Sequence, residues 1–565
     1  MRIYRVEIAG FRGINKLDWT IDGNFVCLVG AGDSTKSTIL DAIELALSPR
    51  WNIMFDDSDF YNGDIKENIN INVTIGQLDE KILKESKFGL EARGWKDGKL
   101  NDEPQDNDEL VLTINLSVTQ SLEPIWTVIN NRPSENKRIS SYERQSFNVT
   151  RLGGSIDKHL SWTKGSVLSQ LTGNIDGLSG LLAEANREAR KSFNPSEVSK
   201  LQATANQVQE LGKEIGVASK DKYCPGLDVQ ATTVNVGGVT LHDGKVPVRR
   251  SGMGTRRLLI SAIQKELTKQ GAITLVDEVE HGLEPHRILH FLKALQLDEK
   301  DSGQVLMITH SPVVVTELEA KNLRIVRSVK DGFIDVKNID GGIQDIVRRS
   351  SYAFLGRKLI VCEGRTEVGF CNSLDSWWHS QKKESFGYLG IVPVDGSGHE
   401  APKVAVSLAD LDYDVALLVD SDKPLNPDEK KLKEKRINII TWGDSVSTEE
   451  RLTLDLPWPG VIEIIKDVAE RSSCEKCVCD AVRKRLGLEL SDIIDSWQDS
   501  LELRLAIGKY IKEGKKDDDP KGKGLFKSID GGKFLGNILI KHIANIPEKD
   551  IAKKICELRV WIDKD

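Results

Sequence analysis

The feature that most constrains this chain is a short apolar run, Phe25-Val26-Cys27-Leu28-Val29, leading straight into Gly30-Ala31-Gly32-Asp33-Ser34-Thr35-Lys36-Ser37-Thr38. Apolar residues at helical spacing follow: Ile39, Leu40, Ile43 and Leu47. A buried strand, a glycine-bearing turn, a Lys-Ser pair and a helix make up the layout of a phosphate-binding P-loop. Gly30 and Gly32 let the backbone approach an anion, on which N–H groups and the positive end of the helix converge. Lys36 reaches the terminal phosphates, and the hydroxyl of Ser37, with Thr38 beside it, is placed to hold Mg²⁺. Thr35 stands where the pattern has a second glycine, and its Cβ narrows the loop and disfavours a positive φ. Nucleotide binding is expected to survive that change better than hydrolysis does.

Further on, Ile273-Thr274-Leu275-Val276 reads as a buried strand ending in Asp277-Glu278. Beside a P-loop, Asp277 suits a second Mg²⁺ ligand, and Glu278 a base or an orienting group for attacking water. Val305-Leu306-Met307-Ile308 is another such strand, and it ends in Thr309-His310-Ser311-Pro312, where His310 can sense a γ-phosphate. Between P-loop and acids, Ser251, Gly252 and Gly254 precede a helix containing Leu258, Leu259, Ile260, Ile263 and Leu267, a start that offers N–H groups to an anion. In this order the segments resemble the Walker A, signature, Walker B, D-loop and switch-histidine motifs of ABC-type ATPases, over residues 1–345. The resemblance implies an α/β head that binds ATP and whose site is closed by a second copy, hence a homodimer or higher homo-oligomer. It also marks Arg12 and Gln77 as nucleotide contacts, although each reads equally well as a surface polar residue. Residues from about 175 to 220 are rich in Ala, Leu, Glu, Gln and Lys and read as a helical insertion, either a dimerisation element or a cap over the sheet.

A second α/β pattern begins after Gly341-Gly342. Lys358-Leu359-Ile360-Val361-Cys362 reads as a buried strand stopping at Glu363, and Glu367 lies one helical turn on. Val415-Ala416-Leu417-Leu418-Val419 ends in Asp420-Ser421-Asp422, whose aspartates share a face of extended chain. Such oxygen donors at the carboxyl ends of strands favour Mg²⁺ or Mn²⁺. Together these motifs resemble a Toprim domain, here 346–445, followed by a helical extension, 446–565. An ABC-type head joined to Toprim is similar to the architecture of the OLD (overcoming lysogenization defect) family of endonucleases. That resemblance implies DNA nicking or cleavage by a two-metal mechanism with Glu363, Glu367, Asp420 and Asp422 as metal-site acids, often in defence against phage. It also implies such partners as a helicase-like protein or the RNA and DNA of a retron. Within it, Glu450 of Ser447-Thr448-Glu449-Glu450 corresponds to an additional acid, although the same residues read as a helix start. Lys527 in Gly524-Leu525-Phe526-Lys527 corresponds to the catalytic lysine, with Lys533 as a rival and Lys521 and Lys523 as backbone-positioning cations.

Composition narrows the alternatives. The 565 residues suffice for several cores, and 39% hydrophobic with 29% charged residues excludes a disordered or collagen-like chain. No run of about 18 apolar residues occurs and Met1-Arg2-Ile3-Tyr4-Arg5 lacks a signal-like block, so a cytoplasmic protein is expected. The net charge of −8 does not advertise a nucleic-acid binder, though a local basic groove can hold phosphates. Eight cysteines suit a reducing compartment, and Cys474, Cys477 and Cys479 lack the fourth ligand of a zinc site. Glu429 to Arg436 reads as a solvated helix face, and Asp517-Asp518-Asp519-Pro520 as an exposed turn. Two other functions compete with a nuclease: a topoisomerase- or primase-like enzyme, whose partner domains are not recognisable here, and an ATP-dependent DNA-binding or repair scaffold, which would not need the acid quartet.

Overall fold

The computed structural model describes residues 1–84, 87–132, 136–153, 156–163, 166–172, 178–192, 199–214, 221–223, 225, 239–297, 303–472, 474–514 and 525–564. The chain divides into two compact units, one of Met1–Cys27, Ser37–Thr309 and Asp331–Phe333, the other of Leu28–Lys36, His310–Lys330 and Ile334–Asp565.

In the first unit the strand Arg2–Phe11 pairs antiparallel with Ile14–Thr20 and Ile69–Gly76. Ile3, Val6 and Ile8 are all buried although Ile3 and Val6 are three apart, because a register shift between Ile3 and Arg5 turns the strand over at that point. Glu109–Val118 continues the antiparallel part and pairs with Ile69–Gly76, Arg93–Lys96 and Pro124–Ile129. A parallel part consists of Val149–Leu152, Ile273–Val276 and Gln304–Ile308. Every residue of its last two strands is buried, which is why they read as unbroken apolar runs. The helix after the P-loop, Lys36–Leu47, buries Ile39, Leu40, Ile43 and Leu47 as its spacing predicts. In the expected insertion Leu178–Ser192 and Ser199–Glu214 are helices, and the rest of 173–220 lies outside the described residues.

The second unit contains a four-stranded parallel sheet in the order Ile391–Asp395, Lys358–Cys362, Asp414–Val419, Asn438–Thr441. The chain leaves the first of these strands in sequence, Lys358–Cys362, to build on one side and returns to build on the other. The crevice at this reversal therefore opens between the ends of Lys358–Cys362 and Asp414–Val419. Ile360, Cys362, Ala416 and Leu418 share one core with Phe370 and Leu374 of the helix Arg365–Ser380. Ile464, Val478, Ile507, Phe526, Leu535 and Leu558 from the C-terminal helices belong to the same core. The alternate residues Leu359, Val361 and Leu417 are also buried, and helix Ala401–Ala409 packs on these strands.

Two helix contacts in this unit depend on glycine. A Cβ on Gly532 would stand 1.9 Å from Thr366 O and one on Gly369 2.0 Å from Ile529 O, so Arg365–Ser380 and Ile529–His542 touch backbone to backbone. A Cβ on Gly508 would stand 2.6 Å from Thr453 Oγ1 and 3.0 Å from Glu450 Cα, which brings Leu501–Glu513 equally close to Thr448–Asp455. Cys474 and Cys477 are joined in a disulfide where Glu475–Leu486 begins, a departure from the expectation of free thiols. Their three-residue separation at a helix start sets the Cα atoms 5.3 Å apart, inside the range a bridge needs. Among the described residues no helix is long and apolar enough to cross a membrane.

Candidate active site

The reversal in strand order joins the two acidic motifs. Asp420 N–H donates to Glu363 Oε2 at 2.9 Å, so the acids ending the two neighbouring strands meet directly. Glu367, in the first turn of Arg365–Ser380, accepts from Gly364 N–H at 2.9 Å and is 4% exposed. Asp420 Oδ1 accepts from both the N–H and the Oγ1 of Thr448, at 2.8 and 2.7 Å, which ties the strand end to the start of helix Thr448–Asp455.

Ser447 and Glu450 form a reciprocal capping box at the start of that helix. Glu450 also shares Lys512 with Asp422, the ammonium lying 3.0 Å from each carboxylate. The residue the sequence reading passed over is Glu449. It is 1% exposed, neither of its oxygens accepts a hydrogen bond, and Lys527 Nζ stands 3.4 Å from Oε1. Lys527 is held there because Thr366 Oγ1 donates to Phe526 O at 2.9 Å and the glycine contact fixes the helix that follows. Its rival Lys533 is exposed, and Lys521, Lys523, Gly524 and the Asp517–Pro520 turn lie outside the described residues.

Charge is unevenly distributed across these acids. Burial, and after it the charges of Glu367, Glu363 and Glu449, pushes the Asp420 carboxyl up to about 8. Burial and then Glu449, opposed by Lys527, push Glu367 up to about 7. Burial acts against the ammonium of Lys527, but Glu449, Glu367, Asp420 and Glu363 outweigh it and raise its pKa. At Glu450 burial would raise the pKa, and the Ser447 N–H and Lys512 bring it below the usual value instead.

Among the described residues no three His, Cys, Asp or Glu side chains are arranged to hold a metal ion as they stand. The donor chemistry nevertheless fits a hard divalent cation: every group is a carboxylate, and Glu449 keeps two buried oxygens without a hydrogen bond. What leaves the shell open is the use of one oxygen each of Glu363, Glu367 and Asp420 for protein donors, and the ion pair of Asp422 with Lys512.

The nucleotide motifs fall in both units. In the second, Gly30 has φ 143°, and a Cβ there would meet Val326 O at 2.6 Å. Lys36, 3% exposed, donates to Gly30 O, Ala31 O and Ser34 Oγ at 3.0, 2.7 and 2.9 Å, and so lies over its own loop. Thr35 adopts φ 61°, a left-handed conformation that its branched side chain resists. Gly30 to Ser34 line a cavity of about 620 Å³ with Arg327, Arg357 and Tyr413, and Arg327 stacks on the Tyr413 ring at 3.8 Å. His310 is exposed.

In the first unit Asp277 is paired with Arg151 at 2.6 Å, and Arg151 also pairs with Asp41 and, at 3.3 Å, with Glu44. Glu278, with φ 47°, lies 3.3 Å from His281 Nδ1. Arg257, at the end of the glycine-bearing segment, donates to the carbonyls of Asp277, Glu278 and His281 and so fixes the turn carrying both acids. Gly252 caps helix Met253–Lys269 without a side-chain cap, while Gly254 in the first turn is buried and Ser251 half-buried. Ser37 is exposed and Thr38 half-buried at the start of Lys36–Leu47. Arg12 is held by Asp41 and, at 2.8 Å, by Asp59, and the Gln77 N–H donates to Glu109 Oε1 at 2.7 Å.

Residues 25–316, more than half of the chain, match the family described as "AAA domain, putative AbiEii toxin, Type IV TA system". The chain belongs to this AAA family. It is also similar to the OLD nuclease of Thermus scotoductus (strain ATCC 700910 / SA-01), at 23% identity over 361 residues, 59% of this chain and 64% of that nuclease. The chain thus spans less than two thirds of that relative's length. A shorter similarity, 46% over 62 residues and 11% of each chain, joins it to the uncharacterized protein YbjD of Escherichia coli (strain K12). Solved structures it is similar to include an SMC head bound to the C-winged helix domain of ScpA, with TM-score 0.35, 16% identity, and 60% of this chain and 98% of that chain covered. Another is the SMC head domain from Thermotoga maritima, with TM-score 0.29, 11% identity, and 60% and 100% covered. The AAA-domain match and the OLD relative bear out the resemblance read from the motifs: the chain carries an OLD-family ATPase head.

Proposed function

We propose that the chain is a nucleotide-binding, metal-dependent DNA endonuclease, with a Toprim-type acidic centre cutting or nicking a phosphodiester backbone. The observation that carries this reading is the gathering of Glu363, Glu367, Asp420 and Glu449 around Lys527 at the crevice of a parallel sheet. Burial and the neighbouring acids raise Glu367 and Asp420, and with Lys527 the ammonium beside them among the described residues, the site admits a divalent cation. Mg²⁺ or Mn²⁺ held by Glu363, Glu367, Asp420 and Glu449 would supply Lewis acidity toward a phosphate oxygen. The chain's own residues do the rest. Thr448 fixes the orientation of Asp420, the cap at Gly364 fixes that of Glu367, and Lys527 meets the charge that grows on the phosphate as the bond breaks.

The reading also takes in ATP at the P-loop, whose terminal phosphates Lys36 would hold; Asp277 would be a ligand for Mg²⁺. Its domains are a head of 1–345 with an insertion at about 175–220, a Toprim domain of 346–445 and a helical extension of 446–565. The functional unit is a homodimer or larger, acting on DNA in the phage-defence setting that the OLD resemblance implies. The test is plasmid cleavage by the purified chain in Mn²⁺ or Mg²⁺, with and without ATP. Nicked or linear product that disappears with EDTA and in Asp420→Asn supports the reading, and an intact plasmid under every condition refutes it.

A further inference from the structure

Building on that metal-site reading, we propose that Lys512 permanently fills one cation position of the acidic centre, so that the chain takes up one divalent ion there instead of two. The geometry of Lys512 is that of a bridging cation. Its Nζ lies 3.0 Å from Asp422 Oδ2 and 3.0 Å from Glu450 Oε2, joining the acid after a strand to the acid of a helix cap. An ammonium is a compact point charge with three donors, and it can stand between two carboxylates where a small divalent ion would otherwise sit.

The position is built into the helix packing. Gly508 lies directly against Glu450, and Lys512, four residues later in the same helix, falls on the same face. Leu503, Ile507 and Ile511 anchor that helix in the core, so the ammonium is delivered to the acid pair by the fold and does not depend on a mobile loop. The other half of the centre is arranged differently. Among the described residues, Lys527 stands 3.4 Å from Glu449 and leaves both of its buried oxygens without a hydrogen bond. One half therefore carries its cation in the sequence, and the other has donors still to be satisfied.

The test is a Mn²⁺ titration of the full chain without nucleotide, followed by calorimetry and electron paramagnetic resonance, counting only ions lost in Asp420→Asn. The wild type is expected to bind one ion per chain with the spectrum of an isolated Mn²⁺. Lys512→Met should bind two, with the coupled spectrum of ions about 4 Å apart, and Lys512→Arg should stay at one. A wild type that binds two ions overturns the inference and leaves the metal-site reading standing, whereas a wild type that binds none overturns both. A Lys512→Met chain that melts like wild type and still binds one ion also overturns it. Should that variant unfold, the wild-type count of one or two decides alone.

Discussion

Asp277 and Asp420 arise from nearly the same sequence, a short apolar run ending in an aspartate, and their surroundings are opposite. Asp277 meets Arg151, which also gathers Asp41 and Glu44, so acids and cation are balanced by the protein itself. Asp420 meets Glu363, Glu367 and Glu449, and its carboxyl is pushed up to about 8 by burial and those charges. A strand-end aspartate is thus paired with a cation or crowded by other acids according to the residues that the fold brings around it.

The sharpest way to break the contrast is to remove the charge at Asp420. Asp420→Asn should lower plasmid cleavage by at least about 10³-fold, by analogy with the loss of other catalytic groups. It should also raise the metal-free melting temperature at pH 8, because an uncompensated buried acid disappears. Lys527→Met should lower cleavage by about 10²–10³-fold, as loss of one transition-state donor does. Arg151→Met should do the reverse of Asp420→Asn and destabilise the chain by about 1–3 kcal/mol, since breaking this half-buried pair strands its acids; denaturant titration reads this, and Mg²⁺ should restore part of it.

The pH dependence follows from the same comparison. Glu367 and Asp420 are raised to about 7 and about 8 in the fold, so between their unfolded values near 4 and those pH values the folded state holds more protons. Metal-free stability should therefore fall as pH rises from 5 to 8 and then level off, the opposite slope to a salt-bridged acid, while Mn²⁺ affinity climbs over the same interval. Melting curves across pH check the first, and Glu367→Gln should flatten them. The smallest effect is expected at Thr35→Gly, which relieves the φ of 61° and should stabilise by about 1 kcal/mol with ATP affinity unchanged.

What could be read in the sequence was whatever is local. The strand, turn and helix around Lys36 and the strand ends at Glu363 and Asp420 follow from residues within a few positions of one another. Glu449 could not be separated from Glu450, because neighbours on a helix point about 100° apart and the helix rotation is set by the Ser447 cap and by Thr448 on Asp420. Lys512 meets Glu450 across 62 positions and Arg151 meets Asp277 across 126, and no periodicity links residues so distant. The glycine at 508 was the available signal for the first of these, since a glycine inside a helical pattern marks a close approach.

The backbone contact between Arg365–Ser380 and Ile529–His542 also sets a timetable. Thr366 and Phe526 are 160 positions apart, and the bond between them brings Lys527 to acids that were translated long before it. While the ribosome is still adding that intervening chain, Glu363, Glu367 and Asp420 have no lysine partner and no opposing helix to close against. On the proposed reading, the nascent chain thus holds the acids of the centre without the lysine that completes it. In that reading the centre is complete only once the helix Ile529–His542 has docked.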